Sequence, residues 1–107
     1  MIMIVLGTVS FAQIIFQVQT PAALAANYGL TWADPAGGDW ATPDLNIGAN
    51  SVTAALQFVA VPGGDTTACV PPLAVSLTGK IAVVYRGACQ FGSKALAAQN
   101  AGAIGVI

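Results

Sequence analysis

Residues 80–107, KIAVVYRGACQFGSKALAAQNAGAIGVI, hold the clearest order in the chain. Lys80 to Tyr85 is a continuous β-branched run of the kind buried on both faces of a sheet. A small-residue run from Ser93 to Ala101 then reads as a helix, and Gly102 as its stop. The apolar segment Ala103-Ile104-Gly105-Val106-Ile107 follows as a second strand. Strand, helix and strand in this order predict a β-α-β unit with parallel strands and a right-handed crossover. Phe91, Ala95, Ala98 and Gly102 fall at helical spacing, so their face is expected to lie closely on the sheet, with Leu96 and Gln99 flanking it.

Between the first strand and the helix stands Tyr85–Lys94, YRGACQFGSK, which brings together a cysteine, a serine and two of the chain's three cations. That content raises a nucleophilic site as one reading. Neighbouring helical residues point about 100° apart, so Ser93 and Lys94 do not form a dyad by adjacency. Cys89 has no histidine to activate it, because the chain contains none. The chain also lacks glutamate, which removes a glutamate general base and, with histidine, the usual triads and metal ligand sets. Neither catalysis nor a cofactor is expected from this chain alone.

Composition narrows the class further. With 107 residues the chain supports one domain with a modest core. Hydrophobic residues make up 56% and charged residues 7%, which argues against disorder and leads to the expectation that part of the surface is covered by something outside this sequence. The cations are Lys80, Arg86 and Lys94 against four aspartates, so the chain carries no basic footprint for nucleic acid.

The amino terminus reads as a sorting segment. Met1 to Val9 is apolar, and Ser10-Phe11-Ala12 sets small residues two apart, predicting a signal peptide over residues 1–12 with cleavage before Gln13. A first core strand is the structural alternative. A membrane span needs about 20 apolar residues, and Gln13 and Gln17 interrupt the run before that length. Cys69 and Cys89 fit export: an even count favours one disulfide, worth about 3 kcal/mol for a loop of about 20 residues, with two reduced buried thiols as the alternative.

Upstream, Ile14 to Gln19 alternates like a half-buried strand, and Pro21 to Asn27 reads as a short helical turn before extended chain resumes at Tyr28. Thr31 to Asn50 is rich in Asp, Pro, Gly and Asn and reads as a long surface loop. Asp34, Asp39 and Asp44 within it lack the closer alternation and closing Glu of a calcium loop, so they read as turn formers. Trp32 and Trp40 either cover a core edge, the favoured reading, or with Tyr28 offer a platform for sugars. Ser51 to Val61 contains a further strand over LQFVAV, with a tight turn at Pro62–Asp65 after it. Ala68 to Leu77, with its paired prolines, is a connector rather than a regular element.

The segment Leu77–Ile107 resembles the core motif of the protease-associated (PA) domain. The resemblance runs through Gly79-Lys80-Ile81 of the strand, Arg86-Gly87-x-Cys89-x-Phe91 of the loop, Lys94-Ala95 at the helix start and Ala101-Gly102-Ala103 at the turn. The upstream ACVPPL with Cys69 is similar to the family's first cysteine. What the resemblance implies is an α/β fold, small and mostly β with a C-terminal β-α-β unit, over residues 13–107. The chain stops inside its last strand, so an incomplete fold is expected there. The implied role is a non-catalytic module of secreted peptidases or cell-surface proteins, which contacts a protein or peptide or controls access to a peptidase site. In that structural reading Gly87 frees the backbone to leave the strand, Cys89 fastens the loop to Cys69, and Phe91 plugs the helix start into the core. Arg86, Gln90 and Lys94 are the residues expected to meet a partner, with Arg86 either bracing loop carbonyls or an Asp, or presented to a partner's carboxylate. Two further readings stand beside this one: a carbohydrate- or ligand-binding surface domain using Tyr28, Trp32 and Trp40, and an enzyme in its own right.

Overall fold

In a computed structural model, residues 15–29, 47–60 and 63–107 are described. Residues 1–12, expected to be a signal peptide, most of the Asp/Pro/Gly loop and both tryptophans, Trp32 and Trp40, lie outside the described residues. The chain divides into two units, residues 1–51 and 52–107.

In the first unit, β1 (Phe16–Val18) pairs antiparallel with β2 (Ala26–Tyr28). A short 3-10 turn at Ala22–Leu24 joins them, closed by Leu24 N–H donating to Pro21 O at 2.9 Å. The alternating strand is where the sequence places it, and the proline-led turn is shorter than the expected Pro21–Asn27, since Ala26 and Asn27 already belong to β2. Opposed residues interact across the ladder: Gln17 Nε2 donates to Asn27 Oδ1 at 3.0 Å, and the Phe16 and Tyr28 rings lie 6.0 Å apart. A second 3-10 turn occupies Gly48–Asn50.

The second unit is the expected α/β element. Strands β3 (Leu56–Phe58), β4 (Ile81–Val83) and β5 (Gly105–Val106) form one sheet in the order β3-β4-β5, and helix α1 (Phe91–Asn100) connects the last two. Both pairings are parallel, with Leu56 opposite Ile81 and Ile81 opposite Gly105. The strands are shorter than the apolar runs that announce them: β4 takes three residues of Lys80–Tyr85 and β5 two of Ala103–Ile107.

Successive strand residues face opposite sides, so Val59 and Ala82 share one face while Leu56, Phe58, Ile81 and Val83 share the other. Val59 and Ala82 are buried with Ala97 and Ala98 of α1, together with Leu77 and Ala68 from the connector. Alanine meeting alanine lets helix and sheet approach closely, and Leu77 supplies the largest apolar side chain in that core. The opposite face is half-covered or exposed. The expectation that β4 is buried on both faces is therefore corrected: only Ala82 of the strand is buried, because α1 covers a single side.

The helix is also rotated from the expected face. Its buried residues are Lys94, Ala97 and Ala98, whereas Phe91 is 62% exposed and Ala95 only half-buried. Phe91 does not plug the core; with alanines on every side of the helix, the small-residue period did not distinguish one face from the next.

Gly102 ends α1 as expected, by a double hydrogen bond. Its N–H donates to Gln99 O at 2.9 Å and the Ala103 N–H to Ala98 O at 3.0 Å, the Schellman pattern that requires a left-handed residue between them. Gly102 has φ +96°. The Ala101 and Gly102 carbonyls are then capped by the Leu77 and Gly79 N–H groups at 3.0 and 3.1 Å, so the turn Leu77–Lys80 hooks onto the helix end. Gly79, at φ +69°, occupies the third position of that turn, where a positive φ favours glycine, and the Lys80 N–H closes the turn onto Leu77 O at 2.9 Å.

Gly102→Ala is expected to lower stability by about 2–3 kcal/mol in urea unfolding. The added Cβ carries the positive-φ penalty and meets Thr78 Oγ1 at 2.9 Å and Thr78 Cα at 3.0 Å, so the hook itself has to move.

Candidate functional site

The carboxyl ends of parallel strands β3 and β4 open onto two loops, residues 65–70 and 85–90, and these loops make the candidate site. Binding surfaces in open parallel sheets form at this end, where the chain leaves the ladder. Tyr85 N–H still donates to Thr66 O at 2.8 Å, which joins the two loops at their base. Beyond it Gly87 (φ +111°) and Ala88 (φ +65°) turn the chain sharply, and α1 begins at Phe91 after Gln90, whose backbone is extended and whose side chain makes no cap.

Cys69 and Cys89 are joined in a disulfide, with Cα atoms 5.8 Å apart. The pairing expected from the even count is present, and it ties the tip of one loop to the other. Each bonded cysteine follows an alanine in the left-handed region, Ala68 at φ +56° and Ala88 at φ +65°. Such residues cost about 1–2 kcal/mol each, so the surrounding contacts have to hold them there.

Two polar side chains supply those contacts. Asp65 accepts the Thr67 N–H at 2.8 Å, the Cys69 N–H at 2.9 Å and the Val70 N–H at 3.0 Å, and the Thr67 hydroxyl donates to the same carboxylate. The Thr67 hydroxyl and N–H, followed by the Val70 and Cys69 N–H groups, hold its carboxyl well below the ordinary 3.8, at about 2, against a smaller upward push from desolvation. Asp65 reads in the sequence only as part of a tight turn; the Asp-x-Thr spacing is the signal for its side chain bonding the backbone two residues on.

Lys94 completes the arrangement from the other side. It is 1% exposed, and its Nζ donates to Thr67 O at 2.6 Å, Tyr85 O at 3.1 Å and the disulfide's Cys69 Sγ at 3.3 Å. Three acceptors match the three donors of an ammonium. The expectation that Lys94 meets a partner is thereby corrected: it reaches inward from α1 to the backbone of both loops, because the rotation of the helix turns its position toward the core rather than solvent. Its place in the Lys94-Ala95 motif marks the position but not its burial, since lysine is seldom fully buried.

The remaining expected residues stand outside the clasp. Arg86 and Gln90 are exposed, and among the described residues Arg86 makes no ion pair or hydrogen bond. Arg86, Gly87, Ala88, Cys89, Gln90 and Phe91 line a shallow open depression of about 430 Å³. Beside it Tyr85, 56% exposed, packs its ring 5.8 Å from that of Phe58, 45% exposed. Sequence reading missed the Phe58–Tyr85 pair because the parallel alignment of β3 with β4 is a long-range contact. Lys80 lies elsewhere, at the start of β4, with its Nζ donating to Gln57 Oε1 at 3.3 Å. Tyr28 belongs to the first unit, where its hydroxyl donates to Leu24 O at 2.8 Å.

A family model described as the PA domain matches residues 18–107. No curated protein and no solved structure matches the chain.

Two outcomes are expected. Lys94→Ala leaves the Thr67 and Tyr85 carbonyls without their donor and opens a void beneath the loops, lowering stability by about 2–4 kcal/mol in chemical denaturation. Asp65 contributes stability that is complete above its unfolded value near 3.8 and is lost as pH falls through its folded value of about 2. Thermal unfolding followed from pH 5 to pH 2 should therefore show a decline concentrated between about pH 4 and 2, and Asp65→Asn should flatten that decline.

Proposed function

We propose, starting from the fact that this chain belongs to the PA domain family, that it serves as a non-catalytic protein-interaction module of an exported or cell-surface protein. Its natural place is beside a peptidase domain in the same full-length chain, where it contacts a protein or peptide segment and governs access to the neighbouring site. One observation carries this reading. Tyr85, Arg86 and Gln90 are exposed on a loop fastened by the disulfide and by Lys94, with exposed Phe58 at the end of β3 and exposed Phe91 at the start of α1 beside them. Aromatic rings around an uncommitted arginine are the composition of a protein-binding hot spot, where the rings supply buried area and the guanidinium takes a carboxylate in bidentate fashion. The lack of histidine and glutamate gives the same loops little means of acid–base chemistry. The disulfide supports placement in an oxidising compartment.

Selection of a random-peptide display library against the whole chain tests the proposal. Enriched peptides should carry a carboxylate next to apolar residues. The double substitution Arg86→Ala with Phe91→Ala should weaken the best of them by at least about tenfold while leaving the melting temperature within a few degrees, since both side chains are exposed. Selection of no peptide, or of peptides indifferent to the double substitution, would remove this surface as the site.

A further inference from the structure

The two sulfur atoms of the clasp sit in unlike surroundings. Cys89 lies on the wall of the depression beside Arg86, among exposed neighbours Ala88 and Gln90. Cys69 does not line that depression, and its Sγ receives the buried Lys94 Nζ at 3.3 Å. We propose that Cys89 is a modification site for small anionic thiols, cleaved with a fixed polarity: the incoming sulfur bonds to Cys89 and Cys69 is expelled. The inference does not depend on what the loop binds.

In that step a thiolate attacks Cys89 Sγ from the depression as the Cys69–Cys89 bond breaks. The bonding pair leaves on Cys69 Sγ, which is reduced to a thiolate, while the incoming sulfur is oxidised to the disulfide level. No proton moves. Exchange is faster when the attacked sulfur is accessible and when the departing thiol is the more acidic of the two. Both cysteines are half-buried, and of the two Cys89 is the one that lines the depression from which a thiol arrives. Departure selects Cys69, because a cationic N–H donor directed at a sulfur favours its thiolate.

A competing effect acts on Cys89, which lies two residues ahead of α1 and so near about half a unit of positive charge at the helix amino terminus. No hydrogen bond from the described residues reaches Cys89 Sγ, whereas the Lys94 amine makes a direct contact with Cys69. The direct donor outweighs the more diffuse dipole. Cys69 also stays in place once freed, since its N–H remains bonded to Asp65 at 2.9 Å. Arg86 adds attraction for a thiol that carries extra carboxylates.

The test treats the oxidised whole chain with limiting glutathione, stops the reaction at low conversion with N-ethylmaleimide, and maps both labels by peptide mass spectrometry. Glutathione is expected on Cys89 and maleimide on Cys69, with the reverse arrangement at least about tenfold rarer. Glutathione mainly on Cys69, or shared equally, overturns the proposal. Arg86→Gln should slow the reaction of glutathione by roughly threefold while sparing that of 2-mercaptoethanol, which lacks the carboxylates; equal slowing of both would overturn the steering role. In Lys94→Met the preference for Cys89 should shrink to the contribution of access alone. Because that variant can lose its fold, the label distribution in the unsubstituted chain carries the decision.

Discussion

A buried ammonium with no carboxylate against it among the described residues is the contact on which the second unit depends. Lys94 gives its donors to two backbone carbonyls and a disulfide sulfur, and the carbonyls belong to the two loops the sheet does not hold. Hydrogen bonds from a charged donor are worth about 1.5–3 kcal/mol each, while withdrawing the charge from water costs several kcal/mol. The two terms are of similar size, so the lysine adds little net stability over a well-packed apolar residue. What it adds is position. An apolar side chain fills the same space but is indifferent to where Thr67 and Tyr85 turn their carbonyls; the ammonium is satisfied in one arrangement only.

Asp65 acts on the same segment from the opposite side. Thr67 gives its N–H and hydroxyl to the aspartate and its carbonyl to the lysine, so one residue is gripped from both directions. Ala68 follows in the left-handed region, and the next two N–H groups return to Asp65. The conformational cost at Ala68 is offset by these bonds, which also hold Cys69 in position opposite its partner. The disulfide restricts the unfolded chain; the two charged groups define the folded one.

The parts legible in the sequence share a feature: their signals are local. The β4-α1-β5 order follows from the apolar runs and Gly102, the connector from its prolines, and the β1 strand from alternation over Phe16–Val18. The cysteine pairing follows from there being only two. The helix face was not legible, because Ala95, Ala97, Ala98 and Ala101 surround the axis and a period needs contrast to be read. Lys94 and Phe91 then exchanged their expected places, the charged residue inward and the aromatic outward. That exchange runs against average burial preferences and is decided by acceptors from distant segments, which no local pattern contains. The position of β3 beside β4 is hidden for the same reason.

The exchange of Lys94 for Phe91 also bears on why the loop suits binding. A surface that orders itself on contact gives up about 0.5–1.5 kcal/mol for each immobilised side chain, besides the backbone it must arrest. Here the backbone of 85–90 is already arrested at Tyr85, by its hydrogen bonds to Thr66 and Lys94, and at Cys89 by the disulfide, with Arg86, Gly87 and Ala88 spanned between. The left-handed turn at Gly87 and Ala88 keeps this span from simply prolonging β4, and so carries Arg86 and Gln90 out of the sheet. Had Phe91 pointed inward and Lys94 outward, the same loop would present a flexible cation in place of a ring and lose the amine that fixes its base. Burying the lysine to expose the phenylalanine thus does two things at once: it stiffens the loop from below and leaves its outer surface aromatic.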